Sequence, residues 1–262
     1  MGRDELLKTK YPILLVHGMG YWDESPRPYW GRLPAFLRAH GVAVYFGGQD
    51  AWGAVPGNAR RVALSLRDAL RETGQPRAHL IAHSKGGLEA RYLISTLGLG
   101  GCVASLTMLS TPNRGAPLAE LLLRLHPGVE LWSVAAEAHA RRHGDRDPAV
   151  LRAGREITRE ALVRFNRENP DDARVYYQSW GAELADSRTD PLMAASHAVL
   201  RPLVGETDGL VAPESAKWGV YRGTLHGVSH QELVDSMGRD TPRFRPLSFY
   251  AELVRGLRGL EG

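Results

Sequence analysis

The stretch His79-Leu-Ile-Ala-His-Ser-Lys-Gly-Gly87 decides how this chain is read. An apolar run climbs to Ser84, and two glycines precede a helical pattern. A strand that ends on a serine, turns sharply and drops into a helix forms a nucleophile elbow. The turn lifts the hydroxyl clear of the sheet, and the helix N-terminus aims its free N–H groups at an oxygen gaining charge. The usual signature is G-x-S-x-G. Here Ala82-His83-Ser84-Lys85-Gly86 has alanine first, which still adds little bulk beside the turn. Gly86 and Gly87 allow helix and strand to approach closely. Five residues with one substitution are a weak signal alone, because strand–turn–helix junctions also arise by chance. The reading rests on the surrounding chain.

Residues 11–16 form a buried-strand pattern that ends in His17-Gly18-Met19-Gly20. Residues 42–46, 78–82, 103–109, 174–180 and 219–225 read as further strands. Between them, residues 34–40, 58–71, 85–97, 157–165 and 247–257 carry helical spacing. Val62, Leu66, Ala69 and Leu70, for example, share one face. Strands separated by helices predict an α/β chain, with a mostly parallel sheet, helices on both faces, and reactive groups at the carboxyl ends of strands. His17, Ser84 and Ser110-Thr111 fall at such ends. From Ala116 the rhythm changes. Leu118, Leu121, Leu122 and Leu125 form an apolar face, Pro127-Gly128 interrupts it, residues 129–140 are again amphipathic, and 141–148 are charged. Residues 116–150 are therefore expected as an inserted helical cap, either a lid over an apolar pocket or two ordinary packing helices. No repeat or linker appears, so residues 1–262 read as one domain.

Composition narrows the class. A chain of 262 residues with 43% hydrophobic content can bury the core of one large α/β domain. The net charge of +4 comes from scattered basic residues, clustered only at Arg141-Arg142-His143. That reads as an ordinary surface, and no nucleic-acid recognition motif accompanies it. Cys102 is the sole cysteine, which excludes an intrachain disulfide. No apolar run is long enough to span a membrane. Residues 1–8 lack the apolar core of a signal peptide, so the chain as written is expected to be cytoplasmic. A mature form trimmed of its signal would read the same way.

A serine hydroxyl needs a base, and the base needs a carboxylate to fix its tautomer. In this architecture they follow in the order serine, acid, histidine. His126, His139 and His143 belong to the expected cap, and His197 precedes the acid loop. His226 and His230 flank the end of the last strand. His230 is the better base, because it follows a short loop and opens a helix expected over 231–237, whereas His226 reads as a strand-end residue. Asp208, in the tight Thr207-Asp208-Gly209 turn, is the leading acid, with Asp186 and Asp190 as rivals. A lone aspartate before glycine is most often a turn residue. Elbow, acid turn and terminal histidine in this order are less readily explained that way. The oxyanion donors are expected to be the backbone N–H groups of Lys85 and Met19, with the Met19 side chain lining an acyl pocket. His17 and His83 are expected in supporting or structural roles.

Pro12-Ile-Leu-Leu-Val-His-Gly18, Ala82-His-Ser-Lys-Gly-Gly87 with Arg91-Tyr92, and Leu109-Ser-Thr-Pro-Asn-Arg-Gly-Ala-Pro117 are followed by Tyr176-Tyr-Gln-Ser-Trp180, Asp208-Gly-Leu-Val211 and Ser229-His230. In these pieces and their order the chain resembles the bacterial true lipases of the α/β-hydrolase fold, the group of Pseudomonas and Burkholderia triacylglycerol lipases. The resemblance implies an α/β-hydrolase sheet and a lid after the Ser-Thr-Pro segment. It implies Asp208 as triad acid and His230 as base. The implied substrates are hydrophobic carboxylic esters such as acylglycerols, met at a lipid interface, with no cofactor in the chemistry. It also implies a structural calcium, for which Asp186 and Glu232 are the nearest matches and Ser236 stands where glutamine is expected. Two departures are plain: Lys85 occupies a position where glutamine or methionine is usual, and the cysteine pair of many relatives is missing. The same triad would equally serve a phospholipase A1, a thioesterase or an acyltransferase. A non-catalytic acyl-binding protein should have lost a triad member.

Overall fold

In the computed structural model, which describes residues 7–23, 28–125, 128–186, 188 and 190–261, six strands form one parallel sheet. They are β1 (Ile13–Val16), β2 (Val44–Phe46), β3 (Ala78–His83), β4 (Val103–Leu109), β5 (Tyr176–Glu183) and β6 (Val220–His226), in the order β2-β1-β3-β4-β5-β6. The first helices are α1 (Leu33–Ala39), α2 (Val55–Thr73) and α3 (Gly86–Ser95). After β4 come α4 (Pro117–Leu125), α5 (Val129–Arg142), α6 (Val150–Glu156) and α7 (Arg159–Glu168). The chain closes with α8 (Ala194–Val204), the single turn α9 (Pro213–Ala216) and α10 (Pro246–Arg258).

The apolar runs are continuous because both faces of the sheet are covered. Ile13 and Leu15 of β1 enter a core shared with Leu33 and Leu37 of α1 and Tyr250 and Val254 of α10. Leu14 and Val16, one residue out of phase, enter a second core with Val62 and Leu66 of α2 and Leu93 of α3. The chain runs from β1 to the edge strand β2, then crosses back to β3 on the far side of β1. At such a reversal the loops leaving neighbouring strands diverge and open a crevice at their carboxyl ends. Val16 pairs with Ala82, so the turn after β1 and the turn after β3 meet there.

This is the expected α/β-hydrolase architecture, and it departs from the sequence reading in three places. α6 and α8 had no counterpart in that reading; α8 carries Pro202 inside it, a residue that normally argues against a helix. β5 runs on to Glu183, past the expected stop at Trp180. The helix expected over 231–237 is only a 3₁₀ turn at Glu232–Val234, ended by Asp235 in the left-handed region at φ 56°. Asp235 is held there by Arg32, whose Nε and Nη2 donate to its carboxylate at 3.0 and 2.8 Å. His126 lies outside the described residues. Among the described residues, no helix is long and apolar enough to cross a membrane.

Candidate active site

Ser84 sits at the end of β3 with φ 54°, a left-handed conformation rare for a residue with a side chain. The packing around it enforces this. Its N–H donates to the Leu109 carbonyl at 2.9 Å, and its own carbonyl accepts from the Gly87 N–H at 3.1 Å. A Cβ on Gly86 would lie 2.6 Å from the Val16 carbonyl oxygen, and one on Gly87 would lie 2.6 Å from the Thr111 methyl. Only glycine lets α3 begin directly beneath the serine.

Asp208 and His230 come together behind the same crevice. His230 Nδ1 is 2.7 Å from Asp208 Oδ2, and the His230 N–H donates to the Asp208 carbonyl at 2.9 Å. Asp208 Oδ1 accepts the N–H groups of Leu210 and Val211 at 2.9 and 2.7 Å. The buried carboxylate thus has both oxygens committed, and it holds the proton of a neutral His230 on Nδ1, leaving Nε2 as an acceptor. Ser229 and Glu232 brace the histidine from behind. The Ser229 N–H donates to Glu232 Oε2 at 2.8 Å, and the Glu232 N–H donates to Ser229 Oγ at 3.2 Å, a capping box. His226 is exposed and pairs with Glu183 at 3.1 Å instead. Asp190 is buried but accepts the Leu192 N–H at 3.0 Å, and Asp186 is drawn to Arg188.

Asp186 and Glu232, the pair the resemblance implies for calcium, each have other partners. Asp186 takes the Arg188 guanidinium in a bidentate pair, and those hydrogen bonds hold its carboxyl down to about 2. Glu232 is committed to Ser229. Its carboxyl is raised mainly by burial, and the neighbouring negative charge that adds to this belongs to Asp190. Calcium calls for six or more oxygens, and among the described residues no three His, Cys, Asp or Glu side chains converge.

Lys85 follows the nucleophile, and its side chain is buried. Its ammonium donates to the Gly53 carbonyl at 2.9 Å and pairs with Glu89, one turn along α3. Glu89 also accepts from Asn58 Nδ2 at 2.9 Å and Gln49 Nε2 at 3.1 Å, and Gln49 Nε2 reaches the His17 carbonyl at 2.9 Å. The cation is therefore a structural tie between the loop after β1, the loop before α2 and the start of α3. Lys85→Met leaves Glu89 as a buried carboxylate without its cation. It is expected to cost about 3–5 kcal/mol of stability in urea denaturation. Lys85→Met/Glu89→Leu should recover much of that loss.

Tyr29 was not foreseen. Its Oη accepts the Gly18 N–H at 2.9 Å and is hydrogen-bonded to His83 Nδ1. Burial pushes the phenol's pKa far up, so it stays protonated and its proton goes to His83. The His83 ring lies against that of His230, with centroids 4.3 Å apart. Burial, and then the charge His230 can carry, push His83 well down, so a neutral ring backs the histidine that faces the cavity.

Ser84, His230, Met19 and Lys85 line one cavity of about 330 Å³. Its remaining wall is almost wholly apolar and comes largely from α4, α5 and α6, through Leu118, Leu122, Trp132, Leu151 and Gly154. Trp52 and Tyr29 complete it. Neither had a sequence signal, because each lies in a loop whose path depends on distant contacts. Trp52, for instance, is set by its N–H donating to Asp145 at 2.9 Å.

No protein-family model matches the chain. The triacylglycerol lipase of Pseudomonas fragi is 27% identical over 294 residues, covering 97% of this chain and 98% of that protein. The triacylglycerol lipase of Burkholderia plantarii is 24% identical over 293 residues, covering 89% of this chain and 81% of its own. The resemblance read from the motifs is therefore found across nearly the whole chain. Among solved structures, Staphylococcus hyicus lipase superposes with a TM-score of 0.78 at 16% identity, covering 100% of this chain and 98% of that one. A mature Bacillus licheniformis lipase gives 0.73 at 17% identity, covering 94% and 92%. These two share the fold.

Proposed function

We propose that this chain is a serine ester hydrolase, a lipase or carboxylesterase for hydrophobic carboxylic esters such as acylglycerols. One observation carries the reading: a left-handed serine and an aspartate-paired histidine open onto the same apolar cavity. The names of the sequence relatives support it. Ser84 Oγ attacks the ester carbonyl while His230 Nε2 takes its proton. The N–H groups of Lys85 and Met19 receive the oxyanion. His230 returns the proton to the departing alcohol. It then takes one from water, the hydroxide bonds to the acyl carbonyl carbon, and as the Oγ–acyl bond breaks His230 returns the proton to Ser84 Oγ, releasing the acid. Helices α4 and α5, within the expected span 116–150, form the lid, and α6 adjoins them. Leu131, Trp132 and Val134 on α5 are more than half exposed, an apolar surface suited to a lipid interface.

The test is turnover of p-nitrophenyl esters from acetate to palmitate and of emulsified triglyceride. Turnover that rises beyond acetate and depends on Ser84 is expected. No such turnover on any of these esters overturns the reading. Gly18 provides a sharper check on the oxyanion loop. A Cβ there would lie 2.6 Å from Tyr29 Oη and 2.7 Å from Ser84 Cβ. Gly18→Ala must push the loop and the serine apart, so kcat/KM is expected to fall about 100-fold. A variant within a few-fold of wild type would place the oxyanion donors elsewhere.

A further inference from the structure

α6 carries a glycine in its interior, where glycine weakens a helix relative to alanine. No packing demands it. A Cβ built on Gly154 meets nothing within 4 Å, whereas one on Gly18, Gly86 or Gly87 would collide with its neighbours. Its backbone is not among those with positive φ. The direction of the missing side chain follows from helix geometry. Val150 and Leu151 lie four and three residues before it, and Ile157 lies three after. All three line the cavity, as Gly154 does. Residues at these spacings share one face of a helix. The glycine therefore leaves open space inside the cavity, at some expense to the helix.

We propose that Gly154 is a specificity-determining residue that keeps room for the acyl chain of the substrate. The proposal rests on the ester-hydrolase reading and deepens it. A hydrocarbon chain is the occupant this wall fits, since the α4–α6 side is apolar apart from Ser133, whose hydroxyl donates to the Glu130 carbonyl. A side chain at 154 would shorten the path, and its Cβ would meet no neighbour within 4 Å.

The experiment compares wild type with Gly154→Ala, Gly154→Leu and Gly154→Phe on p-nitrophenyl acyl esters from acetate to palmitate. A parallel series uses acetate esters of long alcohols. Labelling of Ser84 by a small fluorophosphonate counts assembled sites in each variant. The decanoate-to-acetate ratio of kcat/KM is expected to fall about threefold in Gly154→Ala and about tenfold or more in the Leu and Phe variants. Labelled variants that keep the wild-type ratio overturn the proposal, as does a loss confined to the alcohol series. If the larger variants fail to label, an unchanged ratio in Gly154→Ala overturns it. Wild-type protein with no Ser84-dependent turnover overturns the ester-hydrolase reading instead, so the two failures are distinguishable.

Discussion

Ser84→Ala is expected to lower kcat by about 10⁴- to 10⁶-fold on any ester the wild type hydrolyses, and to abolish fluorophosphonate labelling. The size follows from what remains. Without Oγ no acyl-enzyme forms, and the His230–Asp208 pair is left to activate water that nothing holds in line with the carbonyl. The backbone N–H donors and the apolar cavity survive, so some rate above water should persist. The fold should survive too. Ser84 holds its strained φ of 54° through backbone hydrogen bonds to Leu109 and Gly87, and neither uses the side chain. Thermal unfolding measured beside the kinetics makes the result specific. Lost turnover with an unchanged Tm points to chemistry, and lost turnover with a collapsed Tm points to the elbow itself. A variant that labels as well as wild type would assign the nucleophile elsewhere.

Asp208→Asn should cost about 10⁴-fold in kcat through a tautomer, with little structural change. The Leu210 and Val211 N–H groups both donate to Oδ1, so an asparagine there keeps its oxygen on that side. Its amide NH₂ then faces His230 Nδ1, where the carboxylate oxygen now sits at 2.7 Å. A donor facing Nδ1 drives the histidine proton to Nε2, the nitrogen that must accept from Ser84. The geometry is kept and the base is disabled. The measurement is kcat with Tm as control. Activity within tenfold of wild type would show that Asp208 is only a turn residue, the ordinary role of an aspartate before glycine.

The elements that bear this chemistry were largely legible from local order. The strand before Ser84, the glycines after it, the Thr-Asp-Gly turn and the histidine after the last strand each involve only adjacent residues. Their chain order supplied the rest. The helix expected over 231–237, directly after His230, is only one 3₁₀ turn. That helix fails because Asp235 is drawn to Arg32, a partner 203 positions away. A propensity summed over neighbours has no access to such a contact.

By itself, the amino-acid order determined a parallel sheet flanked by helices and the residues placed at the ends of its strands. Periodicity, turn chemistry and a glycine's lack of bulk are properties of short stretches. Tertiary structure alone decided where the side chains between those stretches point. It brought Lys85 against the Gly53 carbonyl, bound Tyr29 between Gly18 and His83, and laid Gly154 against the cavity. Each outcome depends on which distant groups burial brings within hydrogen-bond or van der Waals reach. In a folded chain, that reach is set by packing rather than by sequence distance.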